Sequence, residues 1–398
     1  MPALLPVIYL TFVSLGLPDS ALGAAWPSMY GGLGAGVSWV GLLSAIICLG
    51  TIASSVASVS VVRRLGTGKT SAVSVVMTAA GLMGFSLCTE FWQLCLWAVP
   101  YGLGAGAIDA ALNSYVTIHY ASRHMSWLHC MWGVGASAGP MIVARCLLGS
   151  TWNVGFRVLG MIQLVIAAVV MLSLPLWSSA VESAAEKDAE SAGPAPASDG
   201  DVRPSDASRR ELLCIPGARE CLICFFCYCA FESTCGAWAA SYCTLARGVS
   251  AGDAAAWAAL FYAGITAGRA VSGFLTMRLK DGQLIRLGQA LIAVGLVLLL
   301  APLPNAAAMV GLVVCGLGCA PIYPSIIHST PENFGASNAL ALTGLQMAFA
   351  YVGSLVMSPL FGVLAEGVSP AIYPFYLAAL LAVMVLMAEA VNRACRRA

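Results

Sequence analysis

Twelve apolar stretches, each close to twenty residues or longer, run through this chain and decide its fold class. They lie near 4–30, 37–60, 70–88, 92–118, 127–149, 156–177, 219–245, 254–277, 286–303, 307–328, 337–362 and 371–391. At 1.5 Å per helical residue, runs of this length match the roughly 30 Å of a bilayer's hydrocarbon. In lipid every backbone N–H and C=O must be satisfied internally, so only helices or closed barrels can span it. Barrel strands alternate apolar and polar residues, and these runs do not. The composition agrees: the 398 residues are 60% hydrophobic and 9% charged, against about 25% charged in soluble domains. The expected fold is an all-α polytopic membrane protein of twelve transmembrane helices.

One connection is unlike the rest. Residues 178–218 hold Glu182, Glu186, Lys187, Asp188, Glu190, Asp199, Asp201, Arg203, Asp206, Arg209, Arg210 and Glu211, around a Pro/Ala/Ser-rich stretch from Ser191 to Ser198. Such a segment cannot bury a core and reads as a flexible linker. It divides the chain into a half at 1–177 and a half at 219–398, each with six spans.

Charge sets the orientation. With the N-terminus in the cytoplasm, fifteen of the nineteen Lys and Arg residues fall on the cytoplasmic side; Arg157 and Arg247 fall outside, and Arg145 and Arg269 lie within spans. Basic residues favour the cytoplasmic loops of an inner or plasma membrane protein, so both termini are expected there. Residues 1–25 mimic a signal peptide but lack a basic start, and are read as the first span.

The halves echo each other at an offset of 214. Gly50 maps on Gly264, Gly102-Leu103-Gly104 on Gly316-Leu317-Gly318, Leu65 on Leu279 and Asp109 on Tyr323, while Asp19 falls one residue from Glu232. Parallel six-helix repeats of this kind resemble the organisation of major facilitator transporters.

Five ionisable residues lie inside the apolar runs: Asp19, Asp109, Arg145, Glu232 and Arg269. Each costs about 2.5–3.5 kcal/mol on insertion scales. Several together point to a polar path between helices, as transport requires; interhelical ion pairs are the structural alternative.

The fourth span reads Gly102-Leu103-Gly104-Ala105-Gly106-Ala107-Ile108-Asp109-Ala110-Ala111-Leu112-Asn113. Its small residues allow close helix approach, and Asp109 and Asn113, four apart, share a face. Asp109 lies roughly 25 Å below the span's entry at Trp92. Burial makes a carboxyl harder to ionise, and such a group suits a proton carrier; a neutral Asp109 bonded to Asn113 as helix glue is the alternative. Pro18 interrupts the first span beside Asp19, which suits either a cavity-lining break or an N-cap for the continuing helix.

In the seventh span Glu232 and Trp238 offer an acceptor and an aromatic platform, the combination that holds a sugar; an ion pair between Glu232 and Arg269 is the competing reading. His129 opens the fifth span, as a solute ligand or proton relay or as an interfacial histidine, and Arg145 near that span's far end could snorkel. Tyr323 sits between Pro321 and Pro324 in a tenth span expected to bend, facing a cavity or a packed neighbour.

Other signals lead away from enzymes. Gly66-Thr67-Gly68-Lys69-Thr70 resembles a phosphate loop, but Arg63 stands where the first glycine should be and no strand precedes it, so ATP binding is rejected. The run Cys221, Cys224, Cys227 and Cys229 has no nearby histidine, and helix packing is preferred to a metal.

Ile108-Asp109-Ala110-Ala111-Leu112-Asn113-Ser114-Tyr115-Val116-Thr117 resembles the fourth-helix motif of the fucose:proton symporter family. Asp19 is similar to that family's first-helix acid, Ile322-Tyr323-Pro324-Ser325-Ile326 to its tenth-helix motif, and Gly353, Pro359 and Gly362 to its eleventh-helix pattern. The segment around Glu232 and Trp238 looks closer to a bacterial and fungal branch of relatives. Asp109 replaces a longer Glu, and Ser114 stands where Pro is expected. The resemblance implies a monomeric carrier in lipid, without cofactor or nucleic-acid partner. It would import a small polar solute, a monosaccharide, with H+ as the coupling ion; Asp109 and Asp19 would couple the proton, and Asn113, Glu232, Trp238, Tyr323 and His129 would bind the solute. A proton-coupled exporter and a non-transporting membrane receptor remain the alternatives.

Overall fold

The computed structural model describes residues 4–120, 122–177 and 209–395. The first span is two helices, α1 (Leu4–Asp19) and α2 (Ala21–Met29), separated at Ser20. The next five are α3 (Trp39–Leu65), α4 (Thr67–Phe85), α5 (Phe91–His119), α6 (Ser122–Leu147) and α7 (Trp152–Leu172). After the turn Arg209–Leu212 come α8 (Ala218–Leu245), α9 (Ala251–Leu275), α10 (Asp281–Leu300), α11 (Asn305–His328), α12 (Ala336–Gly367) and α13 (Tyr373–Cys395). Counting α1 and α2 as one span, 11 of these are long and apolar enough to cross a membrane. α4 falls outside that set because Thr67, Lys69, Thr70, Ser71 and Ser74 load its first turns with polar groups. Most of the expected linker lies outside the described residues.

The same packing pairs recur on both sides of the chain's midpoint. α1 packs on α6 as α8 packs on α12; α3 on α5 as α9 on α11; α4 on α5 as α10 on α11; α4 on α7 as α10 on α13. The repeat is carried by glycines. A methyl added at Gly50 would fall 3.1 Å from the Leu103 amide nitrogen, and one at Gly264 would fall 3.1 Å from that of Leu317. Gly104 meets the Ser74 carbonyl as Gly318 meets the Gly288 carbonyl. Without a hydrophobic drive between helices in lipid, such backbone contact supplies the packing energy.

The two six-helix sets meet along α6 and α9, α3 and α12, and α2 and α8. At the end remote from Leu4 and Cys395, the Ser38 amide donates to Glu366 Oε2 at 3.1 Å. A methyl at Gly41 would press 2.7 Å from Pro359 Cα. Nearer mid-depth, Gly23 lies against the backbone of Gly236 and Ala237.

Candidate functional site

The site begins at the break between α1 and α2. Pro18 withdraws a backbone donor, and the ladder lapses at Ser20, whose hydroxyl donates to the Ala136 carbonyl at 2.5 Å. Gly16 abuts the Trp132 carbonyl, Gly135 that of Val13 and Gly139 that of Leu17, so α1 and α6 touch backbone to backbone. This closeness brings Trp132 to Asp19. The indole N–H donates to Asp19 Oδ2 at 2.8 Å, and the Tyr101 hydroxyl donates to Oδ1 at 3.2 Å. Asp19 nevertheless remains exposed, so its carboxylate keeps a solvent-accessible side beside Tyr101 of α5 and Trp132 of α6. The N-cap reading of Asp19 does not hold: Ser20 occupies that position of α2, with no side-chain cap.

A second carboxylate lies on α5. Asn113 Nδ2 donates to Asp109 at 2.9 Å, as their spacing anticipates. Asp109 is half-buried, within electrostatic reach of Asp19 and, from the other set, of Tyr323 and Tyr351.

The other set contributes Arg269 and Glu232. The Arg269 guanidinium lies 5.2 Å from the centroid of the Trp132 ring, whose N–H edge serves Asp19. Tyr262 meets the same ring edge-on, centroids 6.3 Å apart, and its hydroxyl closes on Gly236. Tyr262 is also within electrostatic reach of both Asp19 and Glu232, the two acids the repeat nearly superposes. An ion pair between Glu232 and Arg269 does not form: among the described residues the ion pairs are Arg286 with Glu389 and His328 with Asp281.

The sequence matches the family model of the Major Facilitator Superfamily over residues 8–335 and again over 221–391. The chain belongs to the Major Facilitator Superfamily. It is an integral membrane transporter by family, and the fold agrees. A bacterial homologue of the human lysosomal transporter Spinster, inward-facing and unoccupied, superposes with a TM-score of 0.69 at 13% identity, covering 99% of this chain and 96% of that one. A mutant of the peptide transporter POT in complex with sulfate gives 0.75 at 12% identity, over 99% and 95%. The fucose:proton symporter of E. coli gives 0.58 at 16%, over 97% of each chain. At these identities the likeness is one of fold. No curated protein matches in sequence.

Within this major facilitator fold the remaining nominated residues separate. His129 lies two residues into its span, which begins at Trp127. It is half-buried, meets Phe12 edge-on at 5.8 Å and lies within electrostatic reach of Arg269. Tyr323 is half-buried against Phe225 and Tyr228, with centroids at 5.1 and 6.2 Å, on an α11 that runs through both prolines without interruption. Trp238 does not join the site. It is 1% exposed, donates to the Ser358 carbonyl at 3.0 Å and packs edge-on against Phe361. Its ring is committed to the α8–α12 contact and cannot be a solute platform beside Glu232. Cys221 meets Gln346 and Cys224 meets the Met384 carbonyl, which is helix packing. Arg145 is exposed in the last turn of α6.

Three contributors lay outside the nominated set: Trp132, Tyr101 and Tyr262. Trp132 had a signal, since Gly133 and Gly135 beside it mark a helix face that a neighbour approaches closely. Tyr101 and Tyr262 had none beyond being polar-tipped aromatics in apolar helices.

Proposed function

We propose that this transporter is a proton-coupled symporter that imports a small polar solute, a monosaccharide or similar polyol, by alternating access. The observation that carries the reading is the pair of carboxylates, Asp19 and Asp109, on adjacent interior helices, within reach of each other's charge and each held by neutral donors. Neither has a cationic partner within ion-pair distance among the described residues, so each can gain or lose a proton without breaking a salt bridge. Amide and hydroxyl partners serve both the neutral and the charged carboxyl.

In this cycle residues 1–177 and 219–398 act as two six-helix units joined by the 178–218 linker, with both termini cytoplasmic. Contacts at the Ser38–Glu366 end support a state shut towards the outside. Asp109 takes a proton while the site faces outwards. Its neutralisation lowers the cost of closing apolar helices over the site. The solute is held among Asn113, Glu232, Tyr323 and His129. Proton loss to the cytoplasm restores the charge, and exchange of the Asp109–Asn113 contact returns the empty carrier.

The test is uptake of a panel of labelled sugars into proteoliposomes, with and without an inward proton gradient, for wild type and Asp109→Asn. Accumulation lost in the variant with equilibrium exchange retained supports the proposal. Sugar flux in neither protein rejects it.

A further inference from the structure

The arginines differ in how the protein satisfies them. Arg247 donates to the carbonyls of Leu299 and Leu303 and to the Tyr242 hydroxyl, and Arg286 forms a two-pronged pair with Glu389. Arg269 lies inside α9, half-buried at the junction of the two six-helix sets, and among the described residues none of its N–H groups reaches an acceptor. Its guanidinium lies over the face of Trp132, 5.2 Å from the ring centroid. A guanidinium offers five donors in a fixed fork and cannot shed its charge. A ring face satisfies the charge in part and the donors not at all. Carboxylates are available nearby, since Glu232 and Arg269 both lie within electrostatic reach of Tyr228 and Cys319, yet no ion pair closes.

We infer that Arg269, stacked on Trp132, binds an anionic group of the transported solute, so that the cargo is a carboxylate-bearing, hydroxylated molecule of the sugar-acid class. The inference rests on the proposed sugar transport and narrows it. A planar carboxylate matches the guanidinium fork in two parallel hydrogen bonds. Trp132 steadies the cation from below while spending its N–H on Asp19, so one indole links the anion subsite of α9 to a carboxylate of α1. The titratable groups around this subsite are Asp19, held by the same Trp132, Glu232 and Asp109, which share Tyr228 and Tyr323 with Arg269, and His129. With the acids ionised, an incoming anion meets net negative charge. Protonation of a carboxyl removes that repulsion, which gives a physical reason for an anion and a proton to travel together.

The test is thermal stabilisation of the detergent-purified full chain, which needs no gradient and so is independent of coupling. Three probes separate the readings: D-glucuronate, its neutral isostere D-glucuronamide, and lactate. The proteins are wild type, Arg269→Gln and Arg269→Lys. Glucuronate should act on wild type at about tenfold lower concentration than glucuronamide, the margin of one good charge-assisted contact. Arg269→Gln should abolish the preference, and Arg269→Lys, which keeps charge but loses the fork, should retain part of it. Equal action of the two sugar probes, or a preference that survives Arg269→Gln, overturns the anion subsite and leaves sugar transport standing. Stabilisation by lactate alone, lost in Arg269→Gln, keeps the subsite and rejects the sugar. No stabilisation by any probe overturns both.

Discussion

Trp132 donates its indole N–H to Asp19 at 2.8 Å across the backbone-close contact of α6 with α1. The same ring carries Arg269 on its face, so a single side chain joins charges from both six-helix sets. Any rocking of one set against the other must change the second contact and can leave the first intact.

Trp132→Phe keeps a ring beneath Arg269 and deletes the donor to Asp19. Because Asp19 is exposed, water can replace the lost donor in the folded protein, so the melting temperature should barely move while proton-driven uptake falls severalfold. Uptake in proteoliposomes beside a melting curve checks both. Unchanged uptake would make the contact incidental.

Trp238→Phe should do the reverse. It leaves the Ser358 carbonyl without its donor in a buried contact, a loss of about 1–3 kcal/mol of stability. The apparent KM for solute should stay within about twofold, since the ring lies outside the site. A large rise in KM at unchanged stability would return Trp238 to the binding residues.

Gly50→Leu and Gly264→Leu probe the repeat. Each side chain would enter an equivalent backbone contact, with Leu103 in one set and Leu317 in the other. Overpacking at such contacts costs about 1–3 kcal/mol, so the two variants should lose similar stability. Sharply unequal melting shifts would mean the contacts are not mechanically equivalent.

Gly41→Leu places a side chain against Pro359 at the Ser38–Glu366 end. It should wedge that seam apart, raising deuterium uptake in peptides covering 36–41 and 359–367 while the α4–α5 contact keeps its protection. Uniform exchange across the protein would indicate general destabilisation.

Much of the fold was legible because lipid leaves the backbone so few options. Length, apolarity and the Gly/Pro breaks placed the spans, and the 214-residue offset of Gly50 and Gly102 anticipated contacts seen in both sets. The Asp109–Asn113 bond was legible because it depends only on helix periodicity. The Trp132–Asp19 and Trp132–Arg269 contacts depend on how three helices are rotated against one another, which periodicity in an apolar-all-round helix does not encode. Trp238 misled because it is close to Glu232 in sequence. Six residues turn a helix by about 240° net of one full turn, which puts the two side chains on different faces. The Glu232–Arg269 pairing failed for a similar reason: adjacency of α8 and α9 does not by itself turn two charges towards each other.

The most direct test of proton symport is the pH change that accompanies solute entry. Proteoliposomes in weakly buffered medium, with no imposed gradient, receive the solute that stabilises the wild type, and an external electrode records protons. Alkalinisation of the medium on solute addition, absent in Asp109→Asn, is the expected result. Acidification, or solute flux with no proton movement, would contradict it.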